Sequence, residues 1–212
     1  MNRAEAKERR RQQVLAAVES CIREAGRVDF SMRELAAKAE VSFATPFNLF
    51  GKKEDILVAL FNKRVVEQAS RASARAESST GLENLLKVAE ESCDAYLADA
   101  ELFRPLARSL RAQQAPQIDS VAQQAQDIWH AALEQCLQEK TIKDNAGLKA
   151  LARQLHISFR MVFSMWAADE LSDREFRKQV VFNTAAFVLP FVTSAGEQQL
   201  TSLLQQQVGR GT

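Results

Sequence analysis

Glycine and proline are scarce here, 7 and 4 in 212 residues. A chain of hairpins needs both at its corners, so their scarcity argues against a sandwich or barrel and for long helices. Cysteine is scarce too. Cys21, Cys93 and Cys136 are odd in number and far apart, which excludes a disulfide framework and fits a reducing compartment. No apolar run reaches the ~20 residues of a membrane span. The longest uncharged stretch, residues 180–196, is interrupted by Asn183, Thr184 and Pro190. The N-terminus has no apolar signal core. A cytoplasmic location is expected, with no membrane partner.

Charge is nearly balanced, at a formal +1. The balance hides a small asymmetry: residues 1–70 hold 13 Lys and Arg against 10 Asp and Glu. The excess gathers at Arg3, Lys7, Arg9, Arg10 and Arg11. Such a run suits either a solvated helix end or a phosphate backbone.

What is present is helical periodicity. Val14, Ala17, Val18, Cys21, Ile22 and Ala25 recur at i, i+3/i+4 spacing and stop at Gly26, a helix-ending glycine. Ser31 with Glu34, Thr80 with Glu83 and Ser172 with Glu175 have the spacing of capping boxes. Phe30/Leu35 and Leu171/Phe176 flank the first and third as hydrophobic staples. The pattern predicts helices over 4–25, 31–39, 42–50, 53–77, 81–98, 101–113, 116–139, 146–168, 173–194 and 197–207, and no convincing strand. The expected fold is all-α. The first stretch able to separate domains is "ESSTG" at 77–81.

Residues 31–50 fit two short helices joined at "AEVS". Neither can bury enough surface alone, so both must lean on the helices at 4–25 and 53–77. A helix-turn-helix meets that need and offers the start of its second helix to base edges. Pro46 falls early in that second helix. With Ser42 as cap, it costs less than the ~3 kcal/mol of an interior proline, and the first turn should be distorted or 3₁₀-like. Alternatively, Thr45 is the cap and Pro46 takes the first helical position. Both readings leave Phe43, Ala44 and Thr45 facing outward.

"FSMRELAAKAEVSFATPFNLFGKKEDILVALF" (30–61) resembles the DNA-binding region of TetR-family transcriptional repressors, a likeness covering about residues 10–65. Four positions depart from the family pattern. Glu40 stands at the usual turn glycine, Ala44 at a common glycine, Phe47 at the usual tyrosine and Lys52 at the usual Ser/Thr cap. The resemblance implies a helix-turn-helix DNA-binding domain over 1–65 and a helical effector-binding and dimerisation domain over 66–212. The chain would be a ligand-responsive regulator, most simply a repressor, that grips a palindromic operator as a homodimer and is released by a small apolar effector. Phe43 and Thr45 would meet thymine methyls, and Thr45 or Asn48 would hydrogen-bond bases. Ser31, Arg33, Ser42 and Lys53 would hold phosphates. Lys52 adds a cation nearby, while Phe47 lacks the hydroxyl that would reach phosphate.

In the second domain the resemblance places an effector cavity, for which Phe103, Leu106, Trp129, Phe159, Phe163 and Trp166 are the apolar candidates. Helices 146–168 and 173–194 would pair with their copies through Phe182, Phe187 and Phe191. His130 and His156 are expected to be satisfied helix residues. No cofactor or metal is expected. Asp127 and His130 form one Asp-x-x-His, whereas di-iron bundles use two Glu-x-x-His motifs, so enzyme activity is not expected. An interaction module with an inert helix-turn-helix is the other alternative.

Overall fold

The computed structural model describes residues 2–73, 80–112, 119–144 and 147–209. Among them the chain is all-α. It runs α1 (Arg3–Ala25), α2 (Met32–Lys38), α3 (Ala44–Phe50), α4 (Lys53–Ser73), α5 (Gly81–Leu97), α6 (Ala100–Ala112), α7 (Asp119–Gln138), α8 (Leu148–Ala167), α9 (Asp173–Val188) and α10 (Ser194–Gly209). Residues 74–77 of the expected fourth helix, the starts of the expected helices at 116 and 146, and most of "ESSTG" lie outside the described residues.

Reciprocal capping boxes start α1, α2 and α9. Asn2 with Glu5, Ser31 with Glu34 and Ser172 with Glu175 each satisfy two backbone N–H groups reciprocally. α1 ends at Gly26 in the left-handed region, φ 63°.

The chain divides into two compact units. One comprises Met1–Ser70 with Ala98–Ile118, the other Arg71–Leu97 with Asp119–Thr212. The expected division at 65/66 assigns α6 to the second domain, whereas α6 packs on α1 in the first unit. The reason is its apolar face. Leu102 and Leu106 join Val14, Val18, Ile22, Leu35, Ile56, Leu57 and Leu60 in one core, each burial contributing roughly 1.5–3 kcal/mol. Beside that core the Arg23 guanidinium bonds Asp99 (2.7 Å) and Glu19 (2.8 Å), and Arg64 of α4 bonds Glu19. These carboxylates push Arg23 further toward its charged form.

The second unit contains α5, α7, α8, α9 and α10. Its expected helix over 173–194 is shorter. α9 ends at Val188, Leu189–Phe191 form a 3₁₀ turn, and Val192 is extended. Pro190 has no N–H to continue the ladder, and the backbone beyond is taken by a different partner. Lys143 N–H donates to the Phe191 carbonyl (2.8 Å) and Thr193 N–H to that of Thr141 (2.9 Å). Released this way, α10 starts at Ser194 rather than 197.

Gly196 lies under that crossing. A Cβ on it would sit 2.1 Å from the Thr141 carbonyl oxygen, an overlap with backbone that no rotamer change relieves. Gly196→Ala is therefore expected to cost about 2–4 kcal/mol, the scale of strain and overpacking. Urea unfolding measures it, and an unchanged midpoint would show that the 141–143 segment is free to move away.

Candidate functional site

α2 and α3 meet through a turn in which Glu40 adopts φ 53°. A side chain there carries a left-handed penalty that glycine avoids, as expected from the residue that fills this position. The turn still closes, with Val41 N–H donating to the Ala36 carbonyl (3.0 Å) and Glu40 N–H to that of Ala37 (3.1 Å).

α3 starts at Ala44, two residues later than the expected 42. Thr45 N–H donates to the Ser42 carbonyl (2.9 Å), an i→i+3 bond of 3₁₀ type. Thr45 thus lies inside the helix and is not its cap. Pro46 is the third helical residue, where the N–H has no intrahelical partner to lose, and its ring is buried. The proline is an anchor, not a break. Ser42 makes no cap of the expected kind in this turn; its hydroxyl meets the Thr45 hydroxyl at 2.7 Å.

The outward face is aromatic. Phe43 is 54% exposed and Phe47 42%, and their rings meet edge to face at 5.4 Å. Phe47 therefore does not belong to the core. The Arg33 guanidinium lies 6.0 Å from the Phe43 ring. Ala44 and Asn48 are exposed and Thr45 is half-buried. Together Arg33, Phe43, Ala44, Thr45, Phe47 and Asn48 cluster around the start of α3, with Ser42 beside them.

Ser31 and the two lysines are more committed. Ser31 is exposed, but its hydroxyl accepts from Glu34 N–H (3.2 Å) while its own N–H donates to the Glu34 carboxylate (2.7 Å). Lys52 is exposed, and its N–H donates to Asp55 (2.9 Å), closing the entry to α4. The Lys53 ammonium donates to the Phe30 carbonyl (2.7 Å) and lies 4.2 Å above the Phe30 ring. That engagement is not legible in the sequence, because Phe30 is remote in the chain. Arg11 likewise reaches α3 from α1, bonding the Leu49 carbonyl at 2.7 Å. Its position in a basic run was the sole signal.

The effector candidates separate. Phe103 and Leu106 belong to the first unit, where Phe103 packs edge to face on Phe61 at 5.8 Å. Trp129, Phe159, Phe163 and Trp166 belong to the second. There, Tyr96, Phe159, Phe163, Trp166 and Phe176 form one aromatic cluster, with Trp166 and Phe176 stacked at 5.1 Å. The Trp166 indole N–H donates to Asp173 (2.7 Å). Trp129 is buried on α7.

His156 departs from expectation. It is 7% exposed, and neither ring nitrogen has a hydrogen-bond partner among the described residues. Burial, with Arg160 nearby, pushes its pKa down to about 4, so the ring is neutral at pH 7. His130 Nδ1 lies 3.5 Å from Glu134. Burial pushes the Cys136 thiol up to about 12 and raises Cys93 as well, which keeps both protonated and unreactive. Among the described residues, no group of three or more His, Cys, Asp and Glu side chains is placed to hold a metal ion. No described helix is long and apolar enough to cross a membrane.

The candidate dimer residues also differ in exposure. Phe182 on α9 is 64% exposed, whereas Phe187 and Phe191 are half-buried, Phe191 in the 3₁₀ turn. Exposed beside them in sequence or on the packed neighbour are Leu189 and, on α8, Ile157, Met161 and Met165. Those three recur every fourth residue, a stripe that was legible but not singled out.

The described residues, all-α with ten α-helices of which the second and third form a helix-turn-helix, have the fold of TetR-family transcriptional regulators. Three solved structures carry the comparison. A TetR-family regulator from Pectobacterium atrosepticum is 21% identical, with 92% of this chain and 99% of that one covered and a TM-score of 0.73. FadR from Bacillus subtilis, solved with stearoyl-CoA, is 20% identical over 84% of this chain and 97% of its own, TM-score 0.63. SmeT, the repressor of the Stenotrophomonas maltophilia multidrug efflux pump SmeDEF, is 20% identical over 87% and 91%, TM-score 0.61. All three of these neighbours are transcription regulators. Neither a protein-family model nor a curated protein matches the chain.

Proposed function

We propose that the chain is a ligand-responsive transcriptional repressor that binds a palindromic operator as a homodimer and is released by a small apolar effector. The observation that carries this reading is the face at the start of α3. Two aromatic rings stand in solvent as an edge-to-face pair, with Arg33, Thr45 and Asn48 around them, on a helix-turn-helix. A monomer gains nothing by exposing such a pair, whereas thymine methyls in a major groove offer it an apolar partner. Residues 1–65 are proposed to bind DNA and 66–212 to bind effector and partner subunit. Cytoplasmic location follows from the function.

The exposed stripe of Ile157, Met161 and Met165 on α8, with Phe182 and Leu189, supports a two-fold seam. The apolar cluster around Phe159, Phe163 and Trp166, with Trp129 on α7, supports an apolar effector for the second unit. FadR, solved with stearoyl-CoA, gives a precedent for an acyl ligand on this fold. Such an effector must bind the DNA-incompetent state more tightly, because equal affinity for both states shifts nothing.

DNA reading is tested by titrating a duplex selected from a random-sequence library and an unrelated duplex, each at several salt concentrations. Lys53 is proposed to hold a phosphate with the donors that the Phe30 carbonyl leaves over. Lys53→Ala should weaken both duplexes by similar factors and lower the slope of log K against log salt by ~0.9. Thr45→Ala should relax preference at one base pair, where a good contact discriminates by roughly 1–3 kcal/mol, with the slope nearly unchanged. The opposite assignment of effects would overturn the orientation given to α3. Failure of the wild type to enrich any sequence would favour an inert helix-turn-helix serving as a protein-binding surface.

A further inference from the structure

α3 is seven residues long, and Phe43 before it gives no side-chain cap. So short a helix is not stable through its own hydrogen bonds. Its orientation must come from outside. Part of it comes from Pro46, buried at the first turn, and part from Leu49 and Phe50, which pack against the core of the first unit.

The other contribution is polar and sits at the C-terminal end. Arg11 Nη1 donates to the Leu49 carbonyl at 2.7 Å, and its guanidinium carbon lies 4.2 Å over the Phe50 ring. That carbonyl belongs to the last turn, whose oxygens lack intrahelical partners. A cation there also complements the helix dipole. One side chain from α1 therefore holds both a carbonyl and a ring in the final two residues of α3. The Glu8 carboxylate, one turn back on α1, lies 3.8 Å from Arg11 Nε.

We propose that Arg11 is a positioning residue, which fixes the C-terminal end of α3 so that Phe43, Thr45 and Asn48 meet base edges in one register. It acts through the Leu49 carbonyl and the Phe50 ring and not through a phosphate. The register claim rests on the reading that α3 contacts DNA; the anchoring of α3 does not.

The test compares full-length wild type, Arg11→Ala and Arg11→Lys. Alanine keeps α1 helical and removes both contacts, while lysine keeps a charged donor but not the planar fork. Amide hydrogen exchange over residues 44–51, measured without DNA, should speed up about tenfold in Arg11→Ala, on the scale of one lost charged hydrogen bond. Lysine should restore part of the protection. With DNA, the ratio of selected-duplex to unrelated-duplex affinity should fall about tenfold in Arg11→Ala while the salt slope holds. Unchanged exchange over 44–51 would overturn the anchoring. A slope lowered by ~0.9 with the affinity ratio intact would make Arg11 a phosphate contact instead. A wild type that enriches no sequence would sink the DNA-binding function and the register claim together, leaving the exchange result to decide the anchoring alone.

Discussion

Phe182→Glu is expected to turn the proposed homodimer into a monomer at micromolar concentration. Phe182 is 64% exposed on α9, and α8, which packs on α9, exposes Met161 to the same extent. Water-exposed phenylalanine and methionine on adjoining helices leave apolar area uncovered that a second copy would remove from solvent. Burying one phenylalanine contributes roughly 1.5–3 kcal/mol. A two-fold axis uses the residue twice. Glutamate forfeits both contributions and adds the cost of desolvating two carboxylates. A loss of about 4 kcal/mol raises Kd about a thousandfold. Analytical ultracentrifugation from nanomolar to micromolar protein reads this directly. A wild type that sediments as a monomer at micromolar concentration removes the dimer; a variant with the same Kd as wild type moves the seam away from Phe182. Phe187 and Phe191 are half-buried within their own chain, so glutamate there also disturbs folding, and Phe182 is the cleaner probe.

Mild acid is expected to destabilise the fold through one side chain. His156 is buried, and its pKa falls to about 4, below the ordinary 6.5. A lowered histidine pKa means that the unfolded chain binds the proton more readily. The stability His156 contributes is therefore complete above pH 6.5 and is lost as pH falls toward 4. Between pH 7 and 4.5 the loss amounts to about 2 kcal/mol. The capping carboxylates Glu34 and Glu175 are held below their usual range by the hydrogen bonds they accept from Ser31 and Ser172, so their loss comes at lower pH. His156→Leu separates the contributions. Urea midpoints measured at pH 7 and 4.5 should converge in the variant by about 2 kcal/mol relative to wild type. Equal slopes in the two proteins would mean that His156 is reached by water and titrates normally.

Much of the fold was legible because its signals are local. Capping boxes at Ser31/Glu34 and Ser172/Glu175, the stop at Gly26 and the i, i+3/i+4 pattern of α1 act within one or two turns, and each occurs where it was read. The penalty at Glu40 was legible for the same reason, since a left-handed residue is a property of its own backbone. Pro46 was half-legible. Its effect on the first turn of α3 followed from the missing N–H, but burial of its ring depended on neighbours the sequence does not place beside it.

What the sequence by itself determined is the helical class, most helix boundaries and which residues crowd the start of α3. What only the tertiary structure decided is where the long side chains and the late backbone go. Lys53 turns onto the Phe30 carbonyl and ring, and Arg11 onto Leu49 and Phe50. Phe103 and Leu106 join the first unit, and α9 stops at Val188 where the 141–143 backbone takes over its continuation. Each of these depends on a partner twenty or more residues away. Helix propensity, capping and periodicity act over a few residues, whereas an ammonium, a guanidinium or a free carbonyl takes the first suitable partner that packing brings within 3 Å.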